Sequence, residues 1–376
     1  MGFGAIVPNM PDVILRRIFD FLTYKELCRL ECICKRWRKL IWWIFKRDIL
    51  ELTVEQSITY TTVSVNQQVP FKRLSVCCSF DAVDFLSGIL RRSRLYVRKL
   101  SCDLRFLAYL DRLQCDRETN RRYWSNVDEL WLVIAKLDDH ITQKFLSIES
   151  SLFLSLQEMT VQIHEGSTQV DSIDRVISSI VQRFPNIDIN MELHASNSDE
   201  IYAQLNAFSK MELKKLKLIC VSYEPARISL TLIAHLLKQR NITVHNFTLR
   251  DWCIVCEPNE ALFHNKLNTF RISSCNIESV DSLSSALLKT VMLAENDSSL
   301  GDINVLNNST ENGKKLDETD AIESAQCFIE RLEVAGQCFF HGLDYLNEKA
   351  HVEFEHRILS KIPLLEIDCS EIYYCV

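Results

Sequence analysis

Glycine and proline are scarce in this chain, which has 8 glycines and 7 prolines among its 376 residues. All-β folds with tight hairpins need more of both residues at their turns, so the sequence disfavours that class of fold. No run of about 18 apolar residues occurs, and the first 12 residues lack the basic and apolar regions of a signal peptide. We therefore expect helices joined by longer connections, and no membrane as a partner.

Positive charge is also in deficit, because 50 acidic side chains outnumber 43 basic ones and the formal net charge is −7. Nucleic-acid-binding domains carry a basic footprint, so nucleic acid is not an expected partner of this chain. The content of 47% apolar and 25% charged residues is ordinary for a globular protein with a normal core. The length corresponds to two or three domains, or to one small module followed by an elongated array.

Familiar catalytic motifs are absent as well. The sequence contains no G-x-G-x-x-G, P-loop, G-x-S-x-G or HExxH motif, and its 9 histidines lack the spacing of metal ligands. No motif brings an acid, a base and a nucleophile together. We therefore predict that the protein is not an enzyme and has no catalytic residue, no metal and no cofactor.

Cysteine, by contrast, is abundant, with 15 residues scattered through the chain. An odd number of scattered cysteines is typical of reduced thiols in an intracellular protein, which indicates the cytoplasm and/or the nucleus. Cys253 and Cys256 follow Trp252 in a W-C-x-x-C string that resembles a redox motif or half of a zinc site. Ile254 and Val255 favour a strand, whereas the redox motif needs a helix start. A redox or metal protein is therefore a remote alternative.

Three short amphipathic helices are predicted between residues 8 and 50. Pro11 and Asp12 suit the first turn of the first helix, and Thr23 with Glu26 forms a capping box that begins the second. Helices this short bury little surface against one another, so their core needs completion from outside. The module is either a cap for the domain that follows or a plug for a partner protein.

The residues of this module closely resemble the F-box, with Met10 and Ile33 standing where that family often has Leu and Val. The resemblance implies docking on the Skp adaptor of a cullin–RING ubiquitin ligase through apolar contacts within the module and with the adaptor. It also implies no catalysis in this chain. The residues that match at the family's spacing are Pro11, Leu15, Ile18, Phe19, Leu22, Leu27, Leu30, Cys34 and Trp37.

A competing interpretation concerns the basic and aromatic stretch KRWRKLIWWIFKR, residues 35–47. Basic residues interleaved with aromatic ones are typical of surfaces that bind single-stranded nucleic acid. The aromatic residues here share a helical face with isoleucine and leucine, which favours a packed helix. Nucleic acid therefore remains a minor alternative for this stretch.

Residues 71–376 repeat a degenerate pattern, apolar-x-x-apolar-x-apolar, that is usually followed by a helix-like segment. The average spacing is about 29 residues if one interval, of 62 residues, is counted as two. We predict about ten repeats, preceded by a linker or capping segment over residues 51–70. The second apolar positions of the copies are Leu74, Leu100, Leu130, Met159, Ile187, Leu216, Phe247, Phe270, Leu332 and Leu365.

The copy LNTFRISSCNI, residues 267–277, resembles a leucine-rich repeat, with Cys275 at the Asn/Cys position of that motif. The resemblance implies an α/β fold, in which the three-helix F-box-like module precedes a solenoid of degenerate strand–helix repeats. A conventional α/β domain with similar alternation is the alternative. Residues 294–320 are polar and acidic, which predicts a surface insertion. The predicted helices cover 81–93, 170–184, 229–240 and 279–289.

These features together predict a substrate-recognition adaptor of an SCF-type ubiquitin ligase, which binds the Skp adaptor through the F-box and an unknown protein target through the repeats. The alternative is a repeat scaffold that binds proteins independently of a ligase. In a leucine-rich solenoid, the side chains between the core positions of each strand face the target. The predicted target contacts are Trp131, Val133, Lys217, Thr248, Arg250, Asp251, Arg271, Glu333, Glu366 and Asp368.

Overall fold

The structure is a computed structural model that divides into two compact units. The first unit comprises Met1–Ile134, Asp139–Thr160 and Arg183–Ile187, and the second comprises Ala135–Asp138, Val161–Gln182 and Asp188–Val376. The residues that the structure describes are 10–22, 24–48, 51–56, 61–64, 75–78, 97–104, 124, 126–134, 139–146, 153–164, 170–257, 262–263, 265–299, 329–336, 338–340, 350–360, 362 and 365–372.

Three helices open the first unit, as the sequence predicts. The carbonyl oxygen of Pro11 accepts hydrogen bonds from the backbone N–H groups of Ile14 and Leu15, at 3.0 and 3.1 Å. Asp12 lies in the first turn, where the helix dipole favours a negative charge. Thr23 of the predicted capping box lies outside the described residues. The helices are α1 (Asp12–Asp20), α2 (Tyr24–Leu30) and α3 (Lys35–Asp48).

One face of each of these helices forms a shared core. The ring of Phe19 packs edge-on against the ring of Trp37, with centroids 5.2 Å apart. The buried apolar side chains of the three helices are Leu15, Phe19, Leu27, Leu40, Ile41, Ile44 and Phe45.

A sheet follows within the first unit, in the strand order β5-β4-β1-β2-β3. β1 and β5 run parallel to β4, whereas β2 runs antiparallel to both β1 and β3. Part of the predicted linker or capping segment, 51–70, therefore forms the strands β1 and β2. Of these, β1 pairs with β4 in parallel. The strands are β1 (Glu51–Gln56), β2 (Thr61–Ser64), β3 (Ser75–Cys78), β4 (Lys99–Asp103) and β5 (Glu129–Ile134).

The predicted copy at 71–76 is wrong as a repeat, because its described residues belong to the antiparallel strand β3. Its marker, Leu74, and the predicted helix over 81–93 lie outside the described residues. Further along the chain stand α4 (Asp139–Leu146), β6 (Glu158–Ile163) and α5 (Val170–Arg183). The last of these matches the helix predicted over 170–184.

In the described part of the second unit, the main sheet has parallel strands in the order β7-β8-β10-β12-β14-β16. Helices alternate with these strands along the chain, so the α/β architecture with a parallel sheet is confirmed and is consistent with leucine-rich-type repeats. The strands are β7 (Asp188–Ala195), β8 (Met211–Cys220), β10 (Ile242–Arg250), β12 (Leu267–Ser273), β14 (Ile329–Gly336) and β16 (Glu366–Ile372). The helices are α6 (Ser198–Ala207), α7 (Leu230–Gln239), α8 (Val280–Ser299) and α9 (Ala350–Leu359).

A second, smaller parallel sheet stands in the order β9-β11-β13-β15. Its strands are much shorter than those of the main sheet, and each follows a strand of the main sheet in the chain. They are β9 (Arg227–Ser229), β11 (Cys253–Val255), β13 (Asn276–Ile277) and β15 (Phe339–Phe340).

Core positions of neighbouring strands are in register across the main sheet of the second unit. Four predicted markers are confirmed, because Leu216, Phe247, Phe270 and Leu332 pair in succession and are buried. Side chains alternate between the two faces of a strand. The residues next to these four markers in the chain therefore lie on the opposite face of the sheet.

Two other markers are wrong by a few residues. Met191, and not Ile187, pairs with Leu216 in β7, because Pro185 lies in the turn before the strand, where it has no N–H to donate to a ladder. In β16, Ile367 and not Leu365 pairs with the marker of β14.

The interval of 62 residues between Phe270 and Leu332 is a single step of the sheet. These two residues pair directly, so the extra repeat that we counted in this interval is wrong. α8 continues to Ser299, into the predicted insertion, and residues 300–320 lie outside the described residues.

Glycine is scarce in this chain, and residues with a side chain adopt the left-handed backbone conformation at some turns where glycine is usual. Asp251 and Ser274 follow β10 and β12 with φ angles of 63° and 53°, at the corner where the chain enters the smaller sheet. Left-handed backbone costs roughly 1–2 kcal/mol at a residue with a Cβ atom. Hydrogen bonds offset part of that cost, since Asp251 N–H donates to Ser273 O at 3.0 Å and Ser274 N–H to Ala335 O at 2.8 Å.

Candidate binding surfaces

The first candidate surface is the outward side of α1. Leu15 and Phe19 point into the module, and the opposite side of the same helix carries apolar residues where a water-facing helix would carry polar ones. We call this the apolar face of α1. Its residues, with their exposed fractions, are Val13 (64%), Ile14 (47%), Ile18 (42%) and Phe21 (90%).

Ion pairs between helices hold this face in place. Arg36 of α3 pairs with Asp12 at the start of α1 at 2.6 Å, and Arg47 of α3 pairs with Asp20 at its end at 2.8 Å. Arg36 also donates a hydrogen bond to the carbonyl oxygen of Met10. Both ends of α1 are therefore linked to one neighbouring helix, by exposed ion pairs that each contribute about 1 kcal/mol or less.

The tryptophans of the basic stretch are engaged within the module. The guanidinium groups of Arg16 and Arg47 lie 4.3 and 5.2 Å from the ring centroid of Trp43. The indole N–H of Trp42 donates to a carboxylate oxygen of Glu31 at 3.2 Å. Because cations of the module itself lie over the Trp43 ring, the arrangement disfavours the stacking of nucleic-acid bases there.

The nine residues at F-box spacing divide into three groups. Leu15, Phe19 and Leu27 are buried in the module, whereas Pro11 and Ile18 are exposed. Leu22, Leu30, Cys34 and Trp37 are half-buried. Val13, Ile14 and Phe21 lie outside the F-box spacing and were not predicted as surface residues, although they lie opposite the core residues on a helical wheel.

The second candidate surface is the polar side of the main sheet in the second unit, opposite the buried core row. We call it the polar strand face. Strand register aligns five of the predicted target contacts in one row with Glu192. A sixth, Glu366, lies in the neighbouring row on the same face. That row also contains Lys215, Asn246, Thr269 and Arg331. The first row runs Glu192, Lys217, Thr248, Arg271, Glu333 and Asp368.

The remaining predicted target contacts lie outside these two rows. Arg250 ends β10 on the polar strand face, two positions after Thr248, and pairs with the neighbouring Asp251 at 3.1 Å. Trp131, exposed to 40%, and the half-buried Val133 lie on β5 of the first unit.

Ion pairs link neighbouring strands across the polar strand face. Lys217 pairs with Glu192 at 3.3 Å, and Arg271 pairs with Glu333 at 3.1 Å. Arg331, which the sequence analysis missed, pairs with Glu333, Glu366 and Asp368, the first two at 3.2 and 3.7 Å. Its hydrogen bond to Asp368 and the nearby carboxylates raise the pKa of Arg331 further above its ordinary value, so this cation is permanent.

A histidine pair lies beside Glu192. From the sequence both histidines are interpreted as loop or rim residues, whereas His194 lies within β7. The rings of His164 and His194 are 4.9 Å apart, and His194 Nε2 lies 3.1 Å from Gln162 Nε2 and 3.5 Å from a Glu192 oxygen. Burial raises the pKa of Glu192, but the hydrogen bond with His194 and the charge of Lys217 outweigh burial. The pKa of Glu192 therefore lies below its ordinary value, and its carboxylate is ionised at neutral pH.

Cys253 begins β11 and Cys256 directly follows the end of that strand, so the prediction of a strand at Ile254 and Val255 is confirmed. Burial raises the pKa of Cys256 to about 12. Burial and the carboxylate of Glu278 raise the pKa of Cys253 as well, despite the nearby Arg227. A redox cysteine needs the opposite shift, because the thiolate is its reactive form.

We expect Cys256 to react slowly with thiol reagents at neutral pH. A shift of the pKa from 9.0 to about 12 lowers the thiolate fraction at pH 7 roughly a thousandfold. Timed alkylation with iodoacetamide, read by mass spectrometry, should label the exposed Cys32 well before Cys256, and the rate at Cys256 should keep rising as the pH is raised through 9. Fast labelling of Cys256 at pH 7 would revive the redox alternative.

Among the described residues we find no group of three or more histidine, cysteine, aspartate or glutamate side chains that could hold a metal ion. We also find, within the same residues, no helix with the length and hydrophobicity of a membrane span.

The front module matches a known domain family. Residues 7–44 fit the family model of the F-box domain, the class of module that these three helices define. Over its whole length the chain is similar to an uncharacterized F-box protein of Caenorhabditis elegans. The two are 37% identical over 390 aligned positions, which cover 100% of this chain and 99% of that protein. The chain therefore belongs to the F-box proteins, as its residues at F-box spacing predict.

Proposed function

We propose that this protein is the substrate-recognition adaptor of an SCF-type cullin–RING ubiquitin ligase, with its F-box bound to the Skp adaptor. The observation that carries the proposal is the apolar face of α1, whose side chains are exposed on the helix and at Phe21 directly after it, within the module that matches the F-box model. An exposed apolar patch on a helix favours burial in the groove of a partner.

The chain contributes no chemistry to ubiquitin transfer in this proposal. Its effect is to hold a target close to the ubiquitin donor of the ligase, which raises the effective concentration of the target's lysines. F-box proteins are generally non-catalytic adaptors of this kind, and this chain belongs to that family.

The target-binding part is the second unit, which we infer to be a degenerate leucine-rich-repeat domain. Parallel strands in register, alternation with helices and the turn at Cys275 support this inference. The thiol of that cysteine donates to the carbonyl oxygens of Ser273 and Leu249, at 3.3 and 3.6 Å, and so caps the end of one strand and reaches the next. The polar strand face then carries most of the proposed target contacts.

A reducing compartment, the cytoplasm and/or the nucleus, is the proposed place of action. All ten cysteines whose state the structure describes are free thiols, and several of them are buried in the core. Such thiols are typical of proteins that work in reducing conditions.

The proposal is tested by mixing the purified full chain with the purified Skp adaptor. We expect a 1:1 complex on size-exclusion chromatography, and a dissociation constant below about 1 μM by calorimetry, in the range of specific interfaces. The absence of a complex at tens of micromolar of both proteins would contradict the ligase role and favour a repeat scaffold that acts independently of a ligase.

A further inference from the structure

The polar strand face carries a group of positive charges on three adjacent strands, β8, β10 and β12. We call it the cationic patch, formed by Lys215, Lys217, Arg250 and Arg271. Glu192 and Asp251, which pair with Lys217 and Arg250, offset two of its four positive charges, so the patch stays positive. Lys215 is exposed and makes no ion pair with any described residue, and the side chain of Arg250 is 52% exposed. The positions between them in the register hold the uncharged residues Asn246, Thr248, Thr269 and Ser273.

The next two strands of the same face, β14 and β16, carry the opposite sign. We call this the anionic patch, in which three carboxylates, Glu333, Glu366 and Asp368, surround the single guanidinium of Arg331. One cation among three anions leaves the patch negative. The side chain of Glu366 is 68% exposed and therefore open to a partner, whereas that of Asp368 is half-buried against Arg331.

The two patches lie at a spacing that an extended chain can bridge. Neighbouring strands stand about 4.8 Å apart, and about two and a half strands separate the centres of the patches, which gives a distance of about 12 Å. An extended polypeptide covers that distance with about four residues. From β8 to β16 the net charge changes sign once, and the carboxylate of Glu192 lies on β7, beyond the cationic patch. A partner with the matching order of charges is therefore favoured over one with mixed charges.

We propose that the polar strand face binds a protein segment with an acidic block over the cationic patch and a basic block over the anionic patch, about four residues apart. This inference rests on the proposed function, since it names the class of target that the adaptor would recruit. Ion pairs within the sheet, such as Lys217 with Glu192, orient its cations. In the proposed complex the exposed Lys215 and Arg250 contact the acidic block, and the exposed Glu366 contacts the basic block.

The test uses the full chain and fluorescent synthetic peptides. The probe has three aspartates, one neutral residue and three lysines, so that the centres of its two charged blocks are four residues apart, and the matched control has the same residues with the charges alternating. Fluorescence anisotropy at about 50 mM salt should give at least tenfold tighter binding for the two-block peptide, with the difference lost at about 0.5 M salt. Equal affinity for both peptides would overturn the proposal.

Variants locate the binding site. Lys215→Glu should weaken binding of the two-block peptide at least fivefold, and Glu366→Lys should weaken it similarly, because each reverses one patch. The control Lys238→Glu reverses another exposed lysine of the second unit, on α7, and should leave affinity within twofold. Unchanged binding by Lys215→Glu would overturn the assignment to this face.

Failure of this inference is distinguishable from failure of the proposed function. The peptides probe the second unit, whereas binding of the Skp adaptor probes the apolar face of α1. Loss of the preference for the two-block peptide, in a chain that still binds the Skp adaptor, overturns this inference alone. Retention of that preference, in a chain that does not bind the adaptor, supports the surface and contradicts the ligase role.

Discussion

Ile14→Asp combined with Ile18→Asp should weaken binding to the Skp adaptor at least 100-fold without unfolding the chain. The two side chains are exposed to 47% and 42%, so neither substitution empties the core. Each isoleucine would lose about 1 kcal/mol of apolar burial in the complex, and each introduced carboxylate would cost several kcal/mol to desolvate. A total of about 3 kcal/mol already corresponds to a 100-fold change in affinity. Calorimetric titration of the adaptor into the purified variant measures the loss.

A matched control comes from the second unit. Val352→Asp introduces the same charge at an apolar residue of α9 that is 50% exposed, and it should leave adaptor affinity unchanged. Substitutions at Leu15 are unsuitable, because this side chain is 3% exposed and its loss would unfold the module together with the interface. Wild-type affinity in the double variant, with an unchanged circular dichroism spectrum, would show that the adaptor does not use the apolar face of α1.

Phe247→Ala should lower the free energy of unfolding of the second unit by about 3–5 kcal/mol. The ring of Phe247 is fully buried, with its centroid 5.4 Å from that of Phe263 and 5.7 Å from that of Phe270. The rings of Phe263 and Phe270 are themselves 5.6 Å apart, so the substitution opens a cavity inside a three-ring cluster. Hydrogen exchange of second-unit peptides in increasing urea, read by mass spectrometry, measures the change.

The neighbouring residue supplies the control for this prediction. Thr248 is next in the same strand but lies on the polar strand face, so Thr248→Ala should cost less than about 1 kcal/mol. Similar costs for the two substitutions would contradict the register that places Phe247 and Phe270 opposite each other in the core.

Much of the fold could be predicted because the apolar residues that form the local sequence pattern are the residues that are buried in the structure. Leu216, Phe247, Phe270 and Leu332 have apolar neighbours two positions away, and a parallel strand needs that alternation to cover a core on one face. The prediction was wrong at Ile187, where the same pattern occurs in a turn that contains Pro185. Apolar spacing does not distinguish a strand from a turn that precedes one.

The candidate surfaces were less predictable. The residues at F-box spacing identified the family, yet most of them are buried or half-buried, and the apolar face of α1 includes Val13, Ile14 and Phe21, which lie outside the motif. Arg271 precedes Arg331 by 60 residues in the sequence. No local pattern indicates that both side chains contact Glu333.

The sequence by itself determined the membership of the F-box family, the helices of the front module and the alternation of strands and helices, because each depends on residues close together in the chain. Tertiary structure alone decided that the long interval is a single step of the sheet. It also decided which apolar residues of α1 remain exposed and which charges share one face. These properties depend on strand pairing and helix packing, which join residues that are distant in the sequence.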